Sequence, residues 1–524
     1  MSAARQSGPL RLGIDFGTTR TVVAAVDRGN YPVVVFGDAE DEAHDGLPSL
    51  VAAADGGLVH GYDALAAAAQ GHPTLRSFKR YLSEPDVTAD TPVRVGGRHA
   101  RDAVTVPLGE VLSGFLRGLR TALTRESTVS ERIAAGGLGP VVVAVPAHAL
   151  GAQRFLTLDA FREAGFEVEG MVNEPSAAGF EYTHRRASTV SARRRRVVVY
   201  DLGGGTFDAS LVAVDGVAHE VLDSVGLNRL GGDDIDDVII DLALDAAGAS
   251  LAELDYADRL DLREDCRDAK ERLSPQSRRI ALEVAGRPVT LPVEAVYEAC
   301  RPLVQATIDV MAPLVAGLAE GDPDLADLAG VYLVGGGSGL PLVPRMLKET
   351  FGRRVYRSPM PGASTAVGLA IAADPEAGYS LTDRLSRGIG VFRESDGGRR
   401  TTFDALLSPD LVVAPGSVET VRRRYRPAHD LGRYRFVEYT RMDAEGEPRG
   451  DIAPVATLTF PFDPALQGLP PEELATRRVS RWSGDGLGEI EETYTIDETG
   501  LATVEIADLA TGHRVRHGWG TGGA

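Results

Sequence analysis

The sequence predicts an α/β region built from two related halves, followed by an all-β domain. Two copies of one hairpin pattern, at residues 12–23 and 198–209, predict the duplication: an apolar run, an Asp, a Gly two residues later, a Thr in the turn and a second apolar run. Strand-like and helix-like segments alternate from Leu10 to Ala373, which is typical of α/β proteins. After Ala373 helical periodicity fades, and short β-rich runs broken by Pro, Gly and Asp predict a β-sandwich.

These observations divide the chain into four parts. The α/β region covers 10–376 with insertions at about 46–108 and 232–309, a linker covers 377–387, the all-β domain covers 388–516, and a flexible tail covers 517–524. Strands of the α/β region are predicted at 10–16, 21–27, 32–36, 141–145, 197–201, 207–214 and 331–334. Its helices are predicted at 109–125, 151–164, 174–183, 233–247, 257–273, 294–319, 340–350 and 363–373.

Composition and charge exclude several classes of protein. The 524 residues are too many for one core, and 43% hydrophobic with 25% charged residues is typical of soluble globular proteins. No apolar run approaches the ~20 residues of a membrane span, and residues 1–10 show no secretory signal, so we expect a cytoplasmic protein. Cys266 and Cys300 are expected on helices, without a disulfide framework. The net charge of −20 argues against nucleic-acid binding; the run Arg193–Arg196 is interpreted as a solvated loop, with an anionic-partner site as the alternative.

The two hairpins carry the first chemical prediction. Tight turns present backbone N–H groups and hydroxyls, so a pair of them is expected to grip one polyphosphate from two sides. The residues concerned are Gly17, Thr18 and Thr19 in the first turn and Gly203, Gly204, Gly205 and Thr206 in the second. Asp15 and Asp201 precede these turns, and carboxylates beside phosphates hold hydrated Mg²⁺. Either hairpin taken alone is equally well interpreted as an ordinary β-turn.

Three further segments contain candidate ligand-binding residues. Glu174 precedes Pro175 at a predicted helix start, where it serves either a ligand or the helix dipole as a cap. A strand leads into Gly335, Gly336, Gly337 and Ser338, and glycines there let a nucleoside approach the backbone. Asp233, Asp234, Asp236 and Asp237 follow Gly231 and Gly232 and are interpreted as a helix start rather than a metal site. The chain has no GxxxxGK[ST] motif, so it is not a P-loop ATPase.

In this order the segments resemble the seventy-kilodalton heat-shock (DnaK-type) chaperone family, within the actin and sugar-kinase ATPase superfamily. The resemblance covers about residues 10–373. It implies a two-lobed, actin-like ATPase domain that binds ATP or ADP with Mg²⁺ and K⁺. It also implies that Asp15 and Asp201 reach Mg²⁺ mostly through water, and that Asp208 helps to place the monovalent cation and the attacking water.

Other roles also follow from the resemblance alone. Thr18 and Thr206 are expected to touch phosphates, Glu174 to sense the γ-phosphate and the metal, and Lys79 to act as the catalytic lysine. Without the resemblance, Lys79 is interpreted as a surface lysine. Pro146 and Arg154 resemble the switch that reports nucleotide state to the second domain. The remaining cofactor-binding residues are Gly231, Gly232, Asp233, Lys270 and Ser274.

The β-domain resembles the peptide-binding β-sandwich of the same family. The run Tyr494–Val504 carries the likeness, and only 20 residues follow Val504, so the α-helical lid is expected to be missing and polypeptide to leave quickly. Three positions depart from the family pattern: Glu271 and Gly339 stand where the family has adenine-stacking arginines, and Arg267 stands where it has a glutamate. The linker also lacks the continuous leucine-rich acidic sequence.

The leading hypothesis is an ATP-hydrolysing, lidless chaperone-like protein. It is expected to bind unfolded or extended polypeptide, to work with a co-chaperone and a nucleotide-exchange factor, to bind no nucleic acid and to have no membrane span. Two alternatives stay open. A nucleotide-responsive scaffold with little hydrolysis is motivated by the altered adenine contacts, and a small-molecule kinase is motivated by the superfamily.

Overall fold

A computed structural model describes the chain over 8–38, 42–54, 56–84, 86–96, 103–316, 327–382, 385, 387–395, 400–409, 411–414, 416–482 and 486–519. The chain divides into two compact units. The first unit comprises Met1–Tyr81, Pro92–His148 and Ala160–Leu381, and the second comprises Leu82–Thr91, Ala149–Asp159 and Thr382–Ala524.

A five-stranded sheet forms the first half of the α/β region. Strand Leu10–Phe16 pairs antiparallel with Arg20–Ala25 across the first turn and parallel with Leu138–Val145 on its other side. Val168–Asn173 extends the sheet in parallel, and the short strand Leu47–Pro48 closes the opposite edge.

A six-stranded sheet repeats the same plan in the second half. Strand Arg196–Leu202 pairs antiparallel with Phe207–Asp215 across the second turn and parallel with Leu328–Val334 on its other side. Val355–Arg357 extends the sheet in parallel, while Ala218–Leu227 and Ser380–Thr382 lie at the opposite edge. The shared order of hairpin and parallel strands confirms the duplication that the two sequence patterns predict.

Helices and smaller sheets complete the α/β region. The helices are Gly61–Ala69, Leu108–Arg125, Ser130–Gly136, Gly151–Glu163, Glu174–Arg186, Gly232–Ala247, Tyr256–Glu271, Val293–Ala316, Leu342–Phe351 and Ser364–Ala373. Residues 151–159 of helix Gly151–Glu163 belong to the second unit. The smaller strands are Phe36–Gly37, Ala43–His44, Leu50–Ala54, Gly57–His60, Thr74–Arg76, Pro92–Val95, Val104–Pro107, Arg279–Val284 and Arg287–Pro292. Cys266 and Cys300 are buried on helices, as predicted, and both thiols are free. Within the described residues, no helix has the length and hydropathy that a membrane span requires.

The second unit is rich in antiparallel β-structure. One four-stranded sheet has the order Arg400–Leu407, Gly388–Ser395, Leu431–Met442, Pro448–Pro461. The other has the order Val418–Tyr425, Ile490–Asp497, Ala502–Asp508, Arg514–Gly518. Val391 and Phe436 of the first sheet share one hydrophobic core with Ile490 and Val504 of the second. The prediction of a β-rich region after the α/β region is confirmed.

Several predicted elements need correction. The predicted strand 32–36 is wrong, because Pro32 has no amide hydrogen to donate and only Val33 forms an isolated bridge with Ala24 before Phe36–Gly37 begins. The helix predicted from 340 begins at Leu342, since Pro341 occupies its N-cap. Residues 317–319 of the helix predicted at 294–319 lie outside the described residues, as do 383, 384 and 386 of the predicted linker. The short helix Pro471–Thr476 has no counterpart in the sequence prediction.

A buried ion pair joins the two sheets of the second unit. Glu492, fully buried, accepts hydrogen bonds from the Arg393 guanidinium and from the hydroxyls of Tyr425 and Tyr494, the last two at 2.6 Å. Arg393 also donates from Nε to Asp404 at 2.7 Å. Since Arg393 and Glu492 belong to different sheets, this network fixes how the sheets are stacked.

We expect Glu492→Gln to destabilise the second unit by about 2–3 kcal/mol, because the amide leaves the partly buried Arg393 charge undercompensated. Both tryptophans of the chain, Trp482 and Trp519, lie in the second unit, so urea unfolding followed by tryptophan fluorescence reports on it. The control Glu505→Gln removes only an exposed ion pair with Arg514 and is expected to cost under about 1 kcal/mol. Equal urea midpoints for Glu492→Gln and wild type would contradict the role of the pair.

Candidate functional site

The two glycine turns of the α/β region face each other. In the first turn Gly17 donates its N–H to the carbonyl of Asp15, and in the second Gly203 donates to the carbonyl of Thr206. A Cβ atom on Gly204 would lie 2.5 Å from Cγ2 of Thr19, so only glycine fits at this approach. The structure therefore brings the two predicted phosphate-binding turns to one place in the first unit.

Two carboxylates lie side by side next to the second turn. Asp201 and Asp208 are directly opposite each other in the antiparallel pair, so their side chains share one face of the sheet. Both are buried, with exposed fractions of 7% and 2%. Gly335, with φ +77°, follows the neighbouring parallel strand, and a Cβ atom there would lie 2.3 Å from Oδ1 of Asp201. The predicted nucleoside turn and the predicted metal carboxylate are therefore in contact.

Lys79 lies at the same site, although it is far away in sequence. It sits on the 3₁₀ helix Phe78–Ser83 and donates from Nζ to Oε1 of Glu174 at 2.9 Å. The exposed fractions of these side chains are 5% for Lys79 and 13% for Glu174, so water has little access to the pair. Glu174 is the first residue of helix Glu174–Arg186 and has Pro175 next to it, as the sequence predicts. Lys79 is therefore not a surface lysine.

The electrostatics of the site are dominated by crowded carboxylates. Burial, followed by the charge of Glu174, raises the pKa of Asp15 to about 7, and Lys79 opposes this shift. Burial and Glu174 likewise raise the pKa of Asp208 to about 8, against the amide N–H groups of His148 and Ala147. The pKa of Asp201 is raised well above its usual range by burial and then by Glu174, Asp15 and Asp208. One ammonium is too little positive charge for four carboxyl groups.

This shortage of positive charge fits a cation site. Oδ1 of Asp208 is buried and has no hydrogen-bond partner among the described residues. Hard divalent cations take oxygen ligands and keep several waters, so Asp15, Asp201 and Asp208 are a suitable donor set. A bound cation would hold these carboxylates in the ionised form.

The segment Gly231–Asp233 packs beneath the second turn. Gly232 and Asp233 donate their N–H groups to the carbonyls of Gly203 and Gly204 at 2.9 and 2.8 Å. Helix Gly232–Ala247 begins here, and the carboxylate of Asp234 accepts the N–H of Gly231 at 2.8 Å, which confirms the interpretation of the acidic string as a helix start. The segment thus stabilises the second turn through hydrogen bonds to its backbone carbonyls.

Asp233 and Asp236 are buried and bind basic side chains that the sequence did not connect with them. Asp233 accepts a hydrogen bond from the Ser77 hydroxyl at 2.6 Å and forms an ion pair with Arg267 at 3.4 Å. Lys270 forms an ion pair with Asp236 at 2.6 Å and donates to the carbonyl of Gly232 at 2.8 Å. Ser77 lies in the segment just before Lys79, so this cluster ties that segment to the start of helix Gly232–Ala247. No local sequence pattern links these positions.

The other predicted site residues are distributed as follows. Ser338 donates from its hydroxyl to the carbonyl of Gly335 at 2.8 Å and stabilises the turn Gly335–Gly339. The hydroxyls of Ser274 and Ser277 form a hydrogen bond of 3.2 Å. Pro146 is buried in the first unit after strand Leu138–Val145, whereas Arg154 belongs to the second unit and donates to the carbonyl of Thr499 at 3.5 Å. The roles assigned to these residues stay predictions.

Comparisons with known proteins agree in pointing to one family. The model of the Hsp70 protein family matches residues 11–385. The chaperone protein HscA of Cronobacter sakazakii is 33% identical over 531 residues, a match that covers 98% of this chain and 78% of that protein. The HscA homolog of Vibrio campbellii is 28% identical over 523 residues, with the same coverage of 98% and 78%. HscA of Escherichia coli O9:H4 is 32% identical over 434 residues, covering 79% of this chain and 67% of that protein.

Proposed function

Since this chain belongs to the Hsp70 protein family, we propose that it is an ATP-dependent chaperone that hydrolyses ATP slowly and binds extended polypeptide. Proteins of this family are ATPases. We assign nucleotide to residues 10–376 and polypeptide to the β-domain at 388–516, with 377–387 as the linker. The observation that carries the proposal is the buried Lys79–Glu174 pair beside three carboxylates with raised pKa and two opposed glycine turns.

Phosphate binding is assigned to the two turns. Their backbone N–H groups and the hydroxyls of Thr18 and Thr206 offer donors from two sides, which suits the β- and γ-phosphates of ATP. Gly204 keeps the opposed turns close, because no side chain separates it from Thr19. The grip is therefore built largely from backbone atoms and is expected to hold phosphate whatever base is attached.

Metal binding is assigned to Asp15, Asp201 and Asp208. Bound there, Mg²⁺ would neutralise charge on the phosphate oxygens, and K⁺ is assigned to the neighbourhood of Asp208. The unpartnered Oδ1 of Asp208 and the raised pKa values of all three carboxyls support this assignment. Cation binding and ionisation of these groups are coupled, so nucleotide affinity is expected to rise with pH.

Hydrolysis is assigned to the charged side chains between the turns. Lys79 is positioned to stabilise negative charge that develops on the transferred phosphoryl oxygens, which is the main requirement of phosphoryl transfer. Asp208 is suited to orient the attacking water, because its buried Oδ1 has no partner among the described residues and a bound cation would keep the carboxylate ionised. Glu174 holds Lys79 in place through their 2.9 Å contact and starts a helix, so it is suited to respond to the γ-phosphate.

The test is product analysis with purified protein, ATP, Mg²⁺ and K⁺. We expect ADP and inorganic phosphate in equal amounts without any added acceptor. A phosphorylated small molecule without free phosphate would favour a kinase of the same superfamily. ATP that binds but is not turned over would favour the nucleotide-responsive scaffold.

A further inference from the structure

One arginine of the α/β region lies against the nucleoside turn without belonging to it. Arg357 ends strand Val355–Arg357, which runs parallel to Leu328–Val334 with Arg357 opposite Leu333. Both strands therefore end at the same edge of the sheet, where the turn Gly335–Gly339 begins. In α/β sheets, ligands bind outside the carboxyl ends of parallel strands.

The guanidinium of Arg357 fills the space beside Gly339. The point that a Cβ atom on Gly339 would occupy lies 3.2 Å from Nη2 of Arg357. Gly336, two residues into the same turn, has no atom within 4 Å of its corresponding point and is exposed. The turn thus presents an open backbone surface with a guanidinium at its far end.

Arg357 takes part in no ion pair with the described residues around it. Its side chain is exposed, and no carboxylate of the described residues lies within ion-pair distance of it. Nearby Arg354, by comparison, donates to the carbonyl of Leu328. An exposed guanidinium that forms no ion pair with a described residue has its flat face available for a ligand.

We propose that Arg357 is a base-recognition residue, whose guanidinium plane stacks on the adenine of ATP at the turn Gly335–Gly339. The inference rests on the proposed nucleotide site and adds a residue that sets its affinity for the base. A planar, weakly hydrated guanidinium stacks well on aromatic rings, which a lysine ammonium cannot do. The contact concerns the base only, because the phosphates are assigned to the opposed turns.

The test separates base from phosphate by comparing two ligands, Mg-ATP and Mg-tripolyphosphate, in titration calorimetry. Arg357→Ala is expected to weaken ATP binding about ten-fold and to leave tripolyphosphate binding unchanged. Arg357→Lys keeps the charge but loses the plane, so it is expected to weaken ATP binding to a similar degree. Arg353→Ala, on the exposed turn before the same strand, is the matched control and is expected to bind both ligands like wild type.

Four results would overturn the inference. Equal losses for ATP and tripolyphosphate in Arg357→Ala would make Arg357 a phosphate-binding charge, and full recovery in Arg357→Lys would show that charge and not stacking matters. If Arg357→Ala bound ATP with wild-type affinity, Arg357 would not contact the base. A wild-type protein that binds neither ligand would overturn the nucleotide site itself, and with it both proposals.

Discussion

Lys79→Ala is expected to slow single-turnover ATP hydrolysis by about 10²- to 10³-fold, while ATP affinity stays within a few-fold of wild type. The side chain is only 5% exposed, and its charge stands among Glu174, Asp15 and Asp201. Its removal takes away the positive charge that the transition state needs, while the backbone donors of both turns remain. The loss should therefore appear in the hydrolysis step and not in binding.

The chain offers a sharp control for this substitution. Lys79, Lys270 and Lys348 are its three lysines, and Lys348 lies on helix Leu342–Phe351 with its side chain exposed. Lys348→Ala should hydrolyse ATP at the wild-type rate. Rapid-quench measurements with enzyme in excess over ATP compare the two variants directly. Normal hydrolysis by Lys79→Ala would refute the role assigned to the lysine.

The second large effect concerns pH and cations. The pKa values of Asp15 and Asp208 in the folded protein, about 7 and about 8, exceed the value near 3.9 of an unfolded aspartate. Without metal, the folded protein therefore holds protons that the unfolded chain has released. This stabilising contribution is complete below about pH 4 and is lost as pH rises through about 7 to 8. The melting temperature of the metal-free protein is expected to fall over that range.

Calorimetric melting from pH 5 to pH 8.5 checks this prediction, first in EDTA and then with Mg²⁺ and ATP. Bound cation and nucleotide should raise the melting temperature most at the alkaline end, because they bind the ionised carboxylates. Asp208→Asn should flatten the profile in EDTA, whereas Asp215→Asn, an 82% exposed side chain on the same strand, should leave it unchanged. A metal-free profile that is level from pH 5 to pH 8.5 would contradict the carboxylate cluster.

Local patterns explain which parts of the fold the sequence could predict. Short stretches of neighbouring residues predict both hairpins, the helix at Glu174 and the helix at Gly232. The structure contains all four elements. The strand predicted at 32–36 failed because its apolar run contains Pro32, which cannot donate to a ladder. The short β-rich runs broken by Pro, Gly and Asp likewise predicted the β-rich region after Ala373.

Contacts between distant segments explain what the sequence could not predict. Lys79 and Glu174 are 95 residues apart, so their pairing is invisible to any local pattern, and Lys79 was singled out only through the family resemblance. The ion pair of Lys270 with Asp236 likewise joins two helices, while the cofactor-binding role expected of Lys270 stays a prediction. Arg357 carries no motif, and only the parallel pairing of its strand brings it to Gly339. The pairing of Arg393 with Glu492 depends on how two sheets stack.

Single-turnover hydrolysis of ATP in Mg²⁺ and K⁺, with and without an unfolded model polypeptide, tests the proposed chaperone function most directly. We expect slow phosphate release that the polypeptide accelerates, because the nucleotide site and the polypeptide site are proposed to be coupled in one cycle of ATP binding and hydrolysis. Lys79→Ala should show neither the basal nor the accelerated rate. ATP that binds but is neither turned over nor affected by polypeptide would contradict the proposal and leave a nucleotide-responsive scaffold in its place.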